Sequence, residues 1–138
     1  MNKPLLIESL RRHEGLSLTP YKCTAGYLTI GFGLNLDAGI TLKEAYMLLE
    51  SRIEQSCQEL DKGFPGWREH PEHVQNVLIE MLYNLGRPRL AQFKKMWAAL
   101  ANDDYDTAAK EMLNSKWAEQ VGQRAVTLSR QMAEGFPA

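Results

Sequence analysis

Leu10-Arg11-Arg12-His13-Glu14-Gly15, followed by Pro20-Tyr21-Lys22-Cys23-Thr24-Ala25-Gly26-Tyr27-Leu28-Thr29-Ile30-Gly31-Phe32-Gly33, is the stretch that decides the fold. Its first part closes an amphipathic run. Leu5, Leu6, Leu10 and His13 recur at helical spacing, which predicts a helix over residues 3–14 stopped by Gly15. Its second part differs in kind. Pro20, the Gly and Ala positions and β-favouring Tyr, Thr, Ile and Phe predict a small hairpin or three-stranded sheet over residues 16–36, turning near Thr24-Ala25-Gly26. A carboxyl at a helix end facing the Thr29 hydroxyl suits acid-catalysed bond cleavage, provided the two side chains share a cleft.

Two features bear on that chemistry. The C-terminal end of a helix is the negative end of its dipole, which favours a protonated carboxyl over a carboxylate, and burial adds to this. A protonated carboxyl near neutral pH serves as a general acid. Arg11 and Arg12 oppose the effect if they turn toward Glu14. On the strand, Leu28, Ile30 and Phe32 alternate with Tyr27, Thr29, Gly31 and Gly33. The first set is expected on the core; the second, with one hydroxyl and two absent side chains, lets a bulky ligand approach the backbone. From spacing alone, Glu14 is also open to being a surface residue beside a cap, and the glycines to being turn and bulge residues.

The rest of the chain reads as helical. Thr41 is a predicted N-cap with Glu44 completing a capping box. Ala45, Leu48, Leu49, Ile53, Cys57 and Leu60 carry the longest helix from Leu42 to Leu60, broken at Gly63-Phe64-Pro65-Gly66. His70-Pro71-Glu72-His73 reads as a helix start. Val74, Val77, Leu78, Met81, Leu82 and Leu85 mark a helix over residues 73–85, central to a second lobe and ended by Gly86. Helices over residues 93–100, 104–113 and about 115–132 complete a small bundle, and residues 135–138 are expected to fray. The fold class is α+β, mostly helical: one domain over residues 1–138, with a hairpin lobe at about 15–40, a connecting helix at about 41–62 and a helical lobe at about 70–135.

Bulk properties exclude several classes. With 138 residues the chain affords one domain with a core. A net charge of −1 gives no global attraction to nucleic acid or an anionic membrane surface; the densest cationic clusters are Arg11-Arg12 and Arg87-Pro88-Arg89. No apolar run approaches the roughly 18 residues of a membrane span, so no stable membrane insertion is expected. The first residues are too soon charged for a signal peptide, which places synthesis in the cytoplasm. Cys23 and Cys57 read as free thiols, and His13, His70 and His73 lack metal-ligand spacing, so no metal is expected.

The quoted stretch resembles the phage-type lysozymes (endolysins), glycoside hydrolase family 24. The likeness continues through Leu82-Tyr83-Asn84-Leu85-Gly86, Phe93, Ala108-Ala109, Ser115-Lys116-Trp117 and Arg124-Ala125 and so covers nearly the whole chain. It implies a lysozyme-like fold of two lobes, the hairpin lobe and a helical bundle, joined by the long helix, with an abbreviated loop before that helix. It implies inverting hydrolysis of the β-1,4 bond between N-acetylmuramic acid and N-acetylglucosamine in peptidoglycan, with no cofactor. Glu14 then protonates the leaving oxygen, Thr29 holds the attacking water, and Tyr83 lines the cleft from the second lobe. Asn35 and Arg124 are further substrate-binding candidates. Substrate is expected to enter between the lobes, the helix from Thr41 carrying the opening motion. The resemblance further implies a monomeric endolysin, kept in the host cytoplasm until a holin-made lesion releases it to the periplasmic wall, where it lyses the cell.

One position departs from the family, which commonly has Asp nine residues after the catalytic Glu; here it is Cys23. An unperturbed thiol is only about 3% ionised at pH 7. Lys22 or exposed turn amides are candidates for lowering its pKa. Three readings stay open: Cys23 acts as a thiolate base or nucleophile with Thr29 orienting the water; Cys23 is a bystander and Glu14 and Thr29 act alone or with Asp37; or the protein binds glycan with little turnover. A thiolate nucleophile predicts retention of anomeric configuration. A related glycosidase acting on chitin-like oligomers is a further alternative.

Overall fold

Asn2 starts the first helix: its side-chain oxygen accepts the Leu5 N–H at 3.2 Å, and Pro4 occupies the first turn, where a missing N–H costs nothing. This helix, α1 (Lys3–Glu14), ends as predicted at Gly15, whose φ of +72° suits glycine and whose N–H donates to the Arg11 carbonyl. In this computed structural model, residues 1–135 are described; the fraying expected at the C-terminus concerns residues that mostly lie outside them. The chain divides into two compact units, Met1–Leu48 and the residues from Leu49 onward.

In the first unit, three strands follow α1: β1 (Ser17–Lys22), β2 (Leu28–Gly31) and β3 (Leu34–Asn35), antiparallel and in sequence order. Ser17 pairs with Gly31 and Tyr21 with Thr29, so β1 carries an irregularity around Pro20, which has no N–H for the ladder. A 3₁₀ turn at Leu36–Ala38 leads to α2 (Leu42–Gly63). Its capping box forms as the sequence predicts: Glu44 N–H donates to Thr41 Oγ1 at 3.1 Å, and Thr41 N–H donates to Glu44 Oε1 at 2.8 Å. The boundary between the units falls within α2.

The predicted assignment of strand faces is overturned. Thr29 is the buried residue of β2 at 4% exposure, whereas Leu28 and Phe32 are 38% and 49% exposed. The cause is local. β2 ends at Gly31, and Gly31 and Gly33 on either side of Phe32 take positive φ, so Phe32 leaves the alternation. The Thr29 hydroxyl donates to the Tyr27 carbonyl at 2.9 Å, which makes its burial tolerable.

In the second unit, the residues predicted from the 73–85 periodicity are all buried: α3 (Glu72–Leu85) buries Val74, Val77, Leu78, Met81, Leu82 and Leu85. Each such side chain contributes about 1.5–3 kcal/mol by leaving water. Around it pack α4 (Arg87–Ala91), α5 (Lys94–Ala101), α6 (Tyr105–Leu113), α7 (Lys116–Val121) and α8 (Gln123–Glu134). Phe64 stacks on Trp97 with centroids 4.3 Å apart, seating the turn that ends α2. Asp61 accepts from Trp67 Nε1 at 2.8 Å and from Arg68 at 2.8 and 3.1 Å, so that turn is also clamped by charge. The predicted final helix is instead two, broken at Gly122 with φ +57° and ψ −116°. The Arg87-Pro88-Arg89 cluster, read only as charge, forms α4, with Pro88 in the first turn. Among the described residues, no helix is long and apolar enough to cross a membrane.

Candidate active site

Glu14 is the last residue of α1, exposed, and set against the turn between β2 and β3. A Cβ placed on Gly33 lies 2.6 Å from Glu14 Oε2 and 3.1 Å from its carboxyl carbon. The absent side chain at Gly33 is therefore what lets the carboxyl rest on the sheet. Arg11 and Arg12 do not turn to Glu14; their guanidinium groups sit 3.4 and 3.5 Å from Glu8. The φ of +77° at Gly33 adds backbone strain to any substitution there. Gly33→Ala is therefore expected to displace the Glu14 carboxyl and lower hydrolysis of wall material at least tenfold, on the scale set by a roughly 1 Å misplacement of a reacting group. Initial rates beside a melting curve check it, and an active variant of unchanged rate contradicts the placement.

Thr29 and Cys23 meet at one peptide group. The Tyr27 carbonyl accepts the Cys23 N–H at 2.9 Å and the Thr29 hydroxyl at 2.9 Å, while the Gly26 N–H donates to the Cys23 carbonyl at 2.8 Å. The half-buried Cys23 thiol has a pKa below its ordinary value. The Tyr27 N–H is the main cause; partial burial opposes it, and the Ala25 N–H, the Thr29 hydroxyl and the Gly26 N–H add to it. The turn amides, not Lys22, carry the effect. The arrangement supplies a carboxyl able to give a proton and a thiol whose ionisation is eased by donors aimed at sulfur.

Asn35 pairs with Thr29 across β2 and β3 and caps the 3₁₀ turn, its Oδ1 accepting the Asp37 N–H at 3.0 Å. Asp37, the alternative base, holds the backbone with one oxygen: Oδ2 accepts the Leu28 N–H at 2.8 Å.

Tyr83 and Arg124 belong to the second unit. They share an open pocket of about 500 Å³ with Leu49, Ile53, Asn76, Ile79 and Glu80. Tyr83 is 49% exposed and presents a ring to that pocket. Arg124 Nε donates to Glu80 Oε2 at 3.1 Å, a pairing that the sequence reading missed because 44 positions separate the partners. The spacing of Glu80 and Tyr83, three residues apart on one helix, is the signal that finds Glu80. Asn84, beside Tyr83, accepts from Trp117 Nε1 at 2.8 Å and so ties α3 to α7.

Residues 11–134 match the family described as Phage lysozyme. The chain belongs to the phage lysozyme family. A similar protein is the pre-baseplate central spike protein Gp5 of Enterobacteria phage T4, 29% identical over 149 aligned residues that cover 87% of this chain and 26% of Gp5. The chain thus spans about a quarter of the length of that relative.

Proposed function

We propose that this protein is a muramidase hydrolysing the β-1,4 bond between N-acetylmuramic acid and N-acetylglucosamine in bacterial peptidoglycan. The observation that carries the reading is the Glu14 carboxyl resting on Gly33, in the turn of the same small sheet that bears Thr29, with the Cys23 backbone bonded to the Tyr27 carbonyl that also takes the Thr29 hydroxyl. Glu14 protonates the departing glycosidic oxygen. Thr29 gives its own proton to the Tyr27 carbonyl, which leaves Oγ1 free to accept from the attacking water. Cys23, as thiolate, takes the second proton of that water, and the product inverts. Tyr83 offers a face to a sugar ring, and Arg124 and Asn35 bind substrate polar groups. A second pocket, near 500 Å³, carries Arg89, Lys94, Lys95 and Lys116 about Trp117, a rim complementary to the carboxylates of wall peptides.

In this reading the protein acts as a monomer without a cofactor. It waits in the host cytoplasm, leaves through a holin-made lesion and lyses the cell. The likeness to a baseplate spike protein favours a second setting for the same chemistry: local wall cleavage by a virion-borne module. The experiment is product analysis after addition to permeabilised Gram-negative cells. The expected result is clearing with new N-acetylmuramic acid reducing ends. Retention on insoluble wall with no new reducing ends identifies a glycan-binding module instead, and cleavage of N-acetylglucosamine oligomers alone identifies a chitin-type glycosidase.

A further inference from the structure

β3 is two residues long, and its pairing with β2 stops at Thr29–Asn35. The next backbone step on β2 is Leu28, and the chain opposite has already turned into the 3₁₀ segment Leu36–Ala38. The outward amide of Leu28 therefore has no strand partner, and a strand-edge N–H left without an acceptor is costly. Asp37 supplies that acceptor, at 2.8 Å. Its own N–H is held by Asn35 Oδ1 at 3.0 Å, which fixes the carboxylate in place.

The amide that Asp37 holds is half of a peptide group whose other half is the Tyr27 carbonyl. That carbonyl takes the Cys23 N–H and the Thr29 hydroxyl, each at 2.9 Å. One planar unit is thus pinned on both sides. An anionic acceptor on its N–H also polarises its carbonyl, strengthening both bonds made there. We propose that Asp37 is a positioning residue: it holds the Tyr27–Leu28 peptide in the orientation that sets Cys23 and Thr29 side by side. In this role Asp37 acts through the peptide and not on the substrate. The proposal rests on the hydrolase reading for its kinetic consequence and not for its effect on the thiol.

The test compares Asp37→Ala and Asp37→Asn in the full chain. Two readouts are taken: the pH dependence of Cys23 alkylation by iodoacetamide, with the modified residue identified by mass spectrometry, and kcat and KM on soluble glycan strands. Asp37→Ala is expected to move the thiol titration to higher pH and to lower kcat by about tenfold to a hundredfold, the range for losing a hydrogen bond to a charged group, with KM changed less than about threefold. Asp37→Asn keeps an acceptor oxygen and is expected to restore most of both readouts. An alanine variant with the parent thiol titration and kcat overturns the proposal. So does an asparagine variant as slow as alanine with an unmoved thiol, because that pattern marks direct use of the carboxylate. If alanine fails to fold, asparagine still decides, since it must then titrate near the parent. A parent protein with no hydrolytic activity refutes the muramidase reading, and the thiol titration still judges Asp37.

Discussion

Glu14→Gln is expected to lower hydrolysis of peptidoglycan by about a thousandfold, within the 10² to 10⁴ range for removing a general acid. Glutamine keeps the shape of the carboxyl and its place against Gly33 but has no proton to give to a departing sugar oxygen. The loss should fall on kcat, since the interaction removed is made mainly in the transition state. KM should change little. Glu14 is exposed at the end of α1, so melting should shift by no more than an ordinary surface substitution, about 0.5 kcal/mol in stability. The measurement is initial clearing of permeabilised cells and release of reducing ends for parent and variant at matched concentration. A glutamine variant that clears as fast as the parent removes the proton donor and, with it, the proposed chemistry.

That prediction draws on a residue the sequence made legible, and the reason is locality. Gly15, Thr41 and Glu44 act on neighbours three or four positions away, so their patterns survive as plain spacing. The six buried positions of α3 were legible for a similar reason: its own periodicity is strong enough to fix its face. What failed was set by groups the spacing does not reveal. Thr29 was expected on an open face, yet it is the buried residue of its strand, its hydroxyl satisfied by a carbonyl two residues away. Gly122 reads as one weak helix position but adopts a conformation that ends α7.

Within the candidate site, the side chains were legible and the backbone was not. Glu14, Cys23, Thr29 and Asn35 could be named because residue type and position carry them. The Tyr27–Leu28 peptide could not, since every residue has such a group and only the fold shows which one is bonded on both sides. The same holds for the Cys23 thiol: composition alone leaves it mostly neutral, whereas turn amides aimed at the sulfur favour its ionisation. Glu80 and Arg124 are joined only by tertiary packing.

Cys23 carries the second large effect. Alkylation confirmed at Cys23 is expected to abolish hydrolysis, because an alkylated sulfur neither accepts a proton nor leaves room for the water. Cys23→Ser should fall by two to four orders of magnitude, about the worth of a general base. Cys23→Asp should keep or raise the rate, since a carboxylate offers an acceptor to the same backbone donors from Tyr27, Ala25 and Gly26. The pH profile gives the sign. The thiolate is the active form, so the rate rises with pH as Cys23 loses its proton. The turn amides lower the pKa, so this rise should come at lower pH than an unshifted thiol predicts. In Cys23→Asp the rise should move further down, toward the carboxylate range near roughly 4. Product stereochemistry separates base from nucleophile. Inversion assigns the thiolate to activating water, whereas retention means that sulfur bonds the sugar before water releases it. Full activity in a protein alkylated at Cys23 excludes the thiol from either role and leaves Glu14 and Thr29 to act without it.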